Sequence, residues 1–162
     1  MLTKYEVAAI LNDPVAQELL HAPIPARLAY NGKDGTPRVI PIGFHWTGED
    51  IVVCVSEHSP NRDAFNNVKV AITIDTATYP FKVLKIRGTA TATVMESVPM
   101  EYVKAGQQLL GPEGAAAFMQ TLEPLLPNIK HWVRVAIRPE WASVLDFQTR
   151  FPSQIVKAMM GG

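Results

Sequence analysis

Apolar and polar residues alternate along residues 84–94, and this period of two is typical of a β-strand with one buried face. Leu84 begins the apolar set and Lys85 begins the polar set. Shorter apolar runs separated by turn-forming residues fill the remainder of 26–95, and two further strands are predicted within 131–147. The pattern therefore predicts six or seven strands, which are joined mostly by hairpins.

Two short helices are predicted ahead of this β-rich region, within residues 1–25. Thr3 and Glu6 have the spacing of a capping box, which indicates a helix that runs to about residue 11. Asp13 followed by Pro14 indicates a second helix start, because Asp is a favoured N-cap and Pro suits the first helical position.

Further helices are predicted between and after the strands. An inserted helical pair is expected over 98–124, where the breaker sequence Gly-Pro-Glu-Gly at 111–114 separates its two members. A serine followed by a proline predicts a short helix over 59–66, and the tail at 152–162 has weak helical character.

One domain spanning residues 1–162 is the expected organisation, because a chain of 162 residues suits a single core. The elements indicate a mainly β fold with helices, of the α+β class. We predict a small antiparallel barrel of six or seven strands that carries the N-terminal helices and the inserted helical pair.

Composition excludes several classes of protein. With 48% apolar and 19% charged residues, the chain is too hydrophobic for a disordered protein. Fifteen basic residues balance fifteen acidic ones, so no overall field favours nucleic acid or an anionic membrane as a partner. No uncharged apolar run approaches the roughly 18 residues that a membrane span needs. The single cysteine, Cys54, fits a reducing cytoplasm, and the four scattered histidines predict no metal site.

The segment 38–46 is the first candidate for ligand chemistry. Pro41 cannot donate to a strand ladder, which indicates an edge strand or a bulge. Gly43 would permit the close approach of another backbone or of a flat ligand. The alternative interpretation is an ordinary edge strand with a kink.

The segment 56–62 is the second candidate, since a strand is predicted to end and a helix to start there. The Ser59 hydroxyl and the Arg62 guanidinium, beside the free amides of a helix N-terminus, would form a phosphate pocket. The alternative is a capped surface helix with a solvated Arg62. Because the familiar catalytic motifs are absent, the catalytic residues stay unassigned.

Taken together, these segments resemble the pyridoxamine 5'-phosphate oxidase-like family of FMN-binding split-barrel proteins. The resemblance covers about residues 26–94, with a weaker likeness over 137–147. It implies a split β-barrel, and it places the flavin ring against the backbone of residues 39–42 and the phosphate at residues 56–62. The residues it assigns to the cofactor are Arg38, Val39, Ile40, Pro41, Ile42, Ser56, Ser59, Asn61, Arg62 and Phe147.

The resemblance also implies a homodimer whose cofactor sites lie at the interface, with Trp141 or Phe147 near the ring of the other subunit. Three departures separate this chain from the true pyridoxamine phosphate oxidases. Asn61 stands where family members often have a cation, Val83 stands where those oxidases have glutamine, and their C-terminal Arg-x-His motif is missing. Oxidation of vitamin B6 is therefore not predicted.

Three functional hypotheses follow. The first is a homodimeric oxidoreductase that binds FMN and acts on an unidentified small organic substrate, with the redox chemistry supplied by the cofactor. The second is a reductase that uses the deazaflavin F420, whose acidic tail needs a basic groove. The residues available for that groove are Arg27, Lys33, Arg38 and Lys69. The third is a flavin-binding or haem-binding protein without turnover.

Overall fold

Seven strands form one antiparallel sheet in the computed structural model, which describes residues 2–150 and residue 158. The elements in chain order are α1 (Lys4–Leu11), α2 (Pro14–His21), β1 (Ala26–Asn31), β2 (Pro37–Ile42), β3 (His45–Trp46), β4 (Ile51–Ser56), β5 (Val68–Asp75), β6 (Lys82–Met95), α3 (Met100–Leu122), a 3-10 helix (Glu123–Asn128) and β7 (Trp132–Asp146). The predicted tail at 152–162 lies outside the described residues, apart from Ala158.

The sheet curls into a barrel that is not closed. Its strand order is β2-β1-β5-β6-β7-β4-β3, so β2 and β3 are the two end strands and do not pair with each other. Pro41 lies on β2 opposite Arg27 of β1, as expected for a residue that cannot donate to a second neighbour. The α+β fold class and the split-barrel architecture are therefore confirmed.

Alternation along β6 builds part of the core. Leu84, Ile86 and Ala90 are buried, as the pattern predicted. Val94 was expected on the same buried face, and that prediction is wrong, because its side chain is 65% exposed. The reason is geometric: β5 pairs with β6 only as far as Ala90, so among the described strands the last residues of β6 pair with β7 alone.

The two N-terminal helices have the predicted caps. The Thr3 hydroxyl accepts a hydrogen bond from the backbone N–H of Glu6 at 3.2 Å, and the Glu6 carboxylate accepts one from the backbone N–H of Thr3 at 2.7 Å. Asp13 accepts a hydrogen bond from the Val15 N–H at 2.8 Å. Both helices bury apolar side chains against the barrel, including Leu19 and Leu20.

Two strands predicted at 131–137 and 143–147 are a single long strand, β7. The register between β6 and β7 shifts beside Gly88, so that Pro139 and Trp141 oppose successive residues of β6 and Glu140 forms a bulge. A bulge tolerates a proline without breaking the strand. The proline at 139 was therefore not the end of a strand.

The predicted helix over 59–66 is absent, and its place is taken by turns. The N–H of Arg62 donates to the Ser59 carbonyl at 3.2 Å, and the N–H of Ala64 donates to the Asn61 carbonyl at 3.0 Å, which is the spacing of turns. Phe65, further along this segment, is fully buried in the core. The local signal for a helix start was thus overridden by side-chain burial.

The inserted helical pair is present as two halves of α3. Gly111 separates them with φ 73° and ψ 169°, a conformation that favours glycine, and Pro112 opens the second half. The 3-10 helix that follows was not predicted. Among the described residues, no helix is long and apolar enough to cross a bilayer. The same part of the chain contains no cluster of three His, Cys, Asp or Glu side chains that could hold a metal ion.

Candidate functional site

An apolar cavity of about 370 Å³ lies between the split side of the barrel and α3. Ile42 and Gly43 border it from the end of β2, and Cys54 borders it from β4. Both halves of α3 complete the wall. Their lining residues include Tyr102, Ala105, Gly106, Ala115, Phe118 and Met119. None of the lining side chains is charged, so the space suits a flat apolar group.

Small residues create this space. A Cβ atom at Gly43 would lie 3.7 Å from the Cβ of Ala105, so the backbone after β2 and the first half of α3 approach closely at that point. The kink at Gly111 then turns the second half of the helix, which brings Ala115 and Phe118 to the same cavity. The Gly-Pro-Glu-Gly breaker therefore shapes the wall of the cavity.

A smaller cavity of about 280 Å³, which is open to solvent, shares part of its lining with the first. Ser56 and Ser59 line it together with apolar residues from β7 and from the 3-10 helix region. Cys54 and Tyr102 belong to both linings, so they form the boundary between the two spaces. We call these two spaces the cavity pair: the larger is mainly apolar, and the smaller adds the side chains of Ser56 and Ser59.

Two polar contacts fix α3 over the barrel. The Arg134 guanidinium lies 2.8 Å from the Glu101 carboxylate, and this hydrogen-bonded partner holds the pKa of Glu101 below its usual range. The side-chain amide of Gln108 donates to the carbonyls of Leu20 and Ala22 at 3.1 and 3.0 Å. The first half of the helix is therefore tied both to β7 and to the end of α2.

Cys54 is a neutral wall residue. Burial raises the pKa of its thiol to about 12, with a further contribution from the Glu101 carboxylate. A thiol with that pKa is protonated at neutral pH, and the thiolate is the reactive form. Cys54 therefore has neither the charge nor the exposure of a nucleophile.

We expect Cys54 to resist alkylation in the folded protein up to about pH 9. The chain has one cysteine, so a maleimide adduct measured by mass spectrometry reports this residue alone. Unfolding in guanidinium chloride should return the thiol to its ordinary reactivity. Stoichiometric labelling of the native protein within minutes at pH 7 would contradict the buried, protonated thiol.

The structure distributes the predicted residues of β2 over different surroundings. Ile42 lines the larger cavity, while Ile40 is half-buried. Val39 is 66% exposed and Pro41 is also exposed. Because β2 is an end strand of the sheet, one of its backbone edges has no strand partner among residues 2–150.

The predicted phosphate residues lie on turns, so the expected helix N-terminus does not exist. Arg62 donates from Nη1 to the Glu57 carbonyl at 2.7 Å, and its Nε lies 3.6 Å from the Asp63 carboxylate. Asn61 accepts a hydrogen bond from the Tyr30 hydroxyl at 2.5 Å. Arg62 is therefore held beside the segment that carries Ser56, although it lines neither cavity.

A separate open groove of about 690 Å³ crosses the outer face of the sheet. Arg38, Lys69 and Arg87 border it, and the Arg87 guanidinium carbon lies 4.1 Å from the centre of the Trp141 ring. Lys69 pairs with Glu140 at 2.7 Å. Within the described part of the chain, Arg87 has no carboxylate partner. Of the four basic residues considered for the acidic tail of F420, the fold brings Arg38 and Lys69 to this groove. It also places Arg87 there.

The other predicted residues lie elsewhere. Arg27 pairs with Asp75 at 2.9 Å, and Lys33 lies 3.9 Å from the Asp63 carboxylate. The backbone N–H of Phe147 donates to the Phe81 carbonyl at 3.0 Å, and Phe147 lines neither member of the cavity pair. Trp141 lies in the groove, next to Arg87.

Sequence reasoning missed the contribution of α3 to the site. Tyr102, Ala105 and Ala115 come from the inserted helix, which lies outside the segments that carry the resemblance. The breaker at 111–114 was recognised, but nothing in the sequence indicated which face of the helix would meet the split side of the barrel.

An antiparallel barrel left open on one side is the split-barrel fold of the pyridoxamine 5'-phosphate oxidase-like proteins. No protein-family model and no curated protein sequence matches the chain. Solved structures do match it, and they confirm the fold that the resemblance predicted.

Three of these structures illustrate the range of proteins with a similar fold. A protein described as an F420 reductase has a TM-score of 0.58 and 23% identity, over 78% of this chain and 94% of its own. A putative pyridoxamine 5'-phosphate oxidase from Listeria innocua has a TM-score of 0.52 and 16% identity, over 83% and 98% of the two chains. HutZ, the heme storage protein from Vibrio cholerae, has a TM-score of 0.52 and 18% identity, over 82% and 92%. At these identities the comparisons establish the fold, and function has to be argued from the site.

Proposed function

We propose that this protein is an oxidoreductase that binds FMN in the cavity pair. The observation that carries the proposal is the division of the site into an apolar space bordered by Ile42 and Gly43 and an adjoining space bordered by Ser56 and Ser59. A flavin has the same division, because its flat ring system is followed by a chain of hydroxyl groups.

The residues present fit the cofactor in character. Uncharged walls with the aromatic side chains of Tyr102 and Phe118 suit a flat ring. The Ser56 and Ser59 hydroxyls can donate to and accept from a polyol chain. Neither cavity has a cation among its described lining residues, so the phosphate would lie outside both, near Arg62. That guanidinium uses one donor on the Glu57 carbonyl and has others available.

Bound FMN would supply the hydride or electron transfer, and the protein would supply position and environment. The apolar wall would limit the contact of the ring with water, while the contacts of Arg134 and Gln108 hold α3 in place. Cys54 stays a protonated thiol beside the ring space. The substrate and the catalytic residues are not assigned.

Arg62→Ala is expected to weaken FMN binding about tenfold. A charge-assisted hydrogen bond contributes about 1.5–3 kcal/mol to binding. The loss should lie at the lower end of this range, because the Arg62 guanidinium also pairs with the Asp63 carboxylate. Fluorescence titration of the variant with FMN measures the change.

Riboflavin, which lacks the phosphate, is the matched control for Arg62→Ala. Its affinity should be the same for the variant and the unmodified protein, because the hydroxyl chain and the ring do not need the cation. If Arg62→Ala lost the same affinity for FMN and for riboflavin, Arg62 would have a structural role. If the FMN affinity were unchanged, Arg62 would not belong to the site.

A reductase that uses F420 is the second candidate, and the groove is the observation that favours it. Arg38 lies on β2, the same strand that brings Ile42 to the larger cavity. Four residues of extended strand span about 13 Å, which a long acidic tail could bridge. Titration with F420 beside FMN distinguishes the two candidates.

Turnover is tested separately from binding. Substrate-dependent reduction or reoxidation of the bound cofactor, faster than that of free cofactor, supports an oxidoreductase. Binding without such turnover would support a carrier or sensor.

The homodimer implied by the resemblance also remains a proposal. It would cover the unpartnered edge of β2, where Val39 is 66% exposed.

A further inference from the structure

Tyr102 stands at the boundary of the cavity pair and belongs to both linings. It lies in the first turn of α3, where its backbone N–H donates to the Pro99 carbonyl at 3.0 Å. Its ring centre lies 4.6 Å from that of Trp132 and 6.4 Å from that of Phe118. The neighbouring ion pair of Glu101 with Arg134 fixes the same turn. The ring is therefore held in position on two sides.

The hydroxyl of Tyr102 makes no hydrogen bond to any residue in the described part of the chain. Every buried side-chain nitrogen or oxygen in that same part has a partner, so the Tyr102 hydroxyl is not sealed in the core. The Tyr102 side chain is half-buried, and it lines both cavities.

Tyr102 is also the strongest hydrogen-bond donor in the larger cavity. The other lining residues are apolar, apart from Cys54, whose thiol is a weak donor. Burial raises the pKa of Tyr102, so its hydroxyl keeps its proton at neutral pH. The hydroxyls that line the cavity pair are therefore those of Tyr102, Ser56 and Ser59, and among the described residues Tyr102 alone lines both cavities with a hydroxyl-bearing side chain.

We propose that the Tyr102 hydroxyl binds the ligand directly, by donating a hydrogen bond to an oxygen or nitrogen acceptor on the heteroaromatic ring near its attachment to the chain. This inference rests on the proposed flavin site and adds a specificity residue from α3. Ligands with an acceptor at that position are preferred over purely hydrocarbon rings of the same shape.

Tyr102→Phe tests the inference, since it removes one oxygen and keeps the ring packing against Trp132. We expect the dissociation constant for FMN to rise about three- to tenfold, as for one lost hydrogen bond. The visible absorption bands of bound FMN should shift relative to those in the unmodified protein. Tyr79→Phe is the matched control, because Tyr79 is 47% exposed and lines neither cavity, and it should change neither quantity.

Each other outcome has a distinct meaning. Affinity and spectrum equal to those of the unmodified protein in Tyr102→Phe would overturn the inference while leaving the flavin site intact. A clear fall in the melting temperature of the ligand-free Tyr102→Phe variant would also overturn it, since the hydroxyl would then have a protein partner. If the unmodified protein binds no FMN, the proposed function fails and the inference fails with it.

Discussion

Gly43→Leu is expected to weaken FMN binding at least about a hundredfold, equivalent to about 2.8 kcal/mol, while the chain stays folded. Gly43 lines the larger cavity where the backbone after β2 meets α3. A leucine side chain at this position would occupy the space proposed for the ring. Fluorescence titration with FMN measures the loss, and thermal unfolding confirms that the variant is folded.

Gly43→Ala is the matched control for this substitution. Its Cβ would lie 3.7 Å from the Cβ of Ala105 and 3.9 Å from Cδ2 of Leu109, which are ordinary contacts. We expect FMN affinity within about threefold of the unmodified protein, because one methyl group fills little of the cavity. Unchanged affinity in folded Gly43→Leu would show that the ring does not use this cavity.

Gly88→Ala is expected to destabilise the protein by about 3 kcal/mol, the upper end of the usual penalty for overpacking. A Cβ atom at Gly88 would overlap the carbonyl oxygen of Arg138 across the bulge between β6 and β7. The obstacle is backbone within a strand pair, so neither residue can rotate away. Denaturation in urea measures the change in the free energy of unfolding.

Gly106→Ala is the matched control for Gly88→Ala, because it makes the same substitution at a position with free space. Gly106 lies within α3, and a Cβ atom there would meet nothing within 4 Å. Replacing a helical glycine with alanine should stabilise the protein by about 0.5–1 kcal/mol. If Gly88→Ala were as stable as the unmodified protein, the backbone at Arg138 would be able to move away from the added Cβ. That result would contradict a rigid bulge.

Features set by neighbouring residues could be predicted from the sequence. The capping box of Thr3 and Glu6 needs only one helical turn, so its spacing was sufficient. The alternation along β6 reflects a sheet with one buried face, and Leu84 and Ile86 are buried accordingly. Pro41 indicated an edge because its missing N–H excludes a second ladder, and β2 is an end strand.

Features set by distant contacts could not be predicted in the same way. Ser59 and the following proline have good helix-start chemistry, but burial of Phe65 and the turns around Asn61 give another conformation. Two separate strands were predicted at 131–137 and 143–147, yet pairing with β6 on both sides of the bulge makes β7 one continuous strand. In both segments, tertiary packing outweighs the local preference.

The residues of the candidate site could be predicted from the sequence only in part. The resemblance named Ile42, Ser56 and Ser59, and the structure places these residues around two adjoining cavities. Tyr102 could not be found in this way, because its role depends on how α3 packs over the split barrel. That packing depends on contacts between residues far apart in sequence, such as the hydrogen bonds from Gln108 to the end of α2.

Titration of the purified protein, freed of any bound cofactor, with FMN tests whether this chain is a flavin protein. FMN fluorescence should change saturably and reach an end point at one FMN per chain. A parallel titration with F420 should show no saturable binding. Saturable binding of F420 alone would favour the F420-dependent reductase. The absence of a saturable change with FMN would contradict the assignment of the cavity pair as an FMN site.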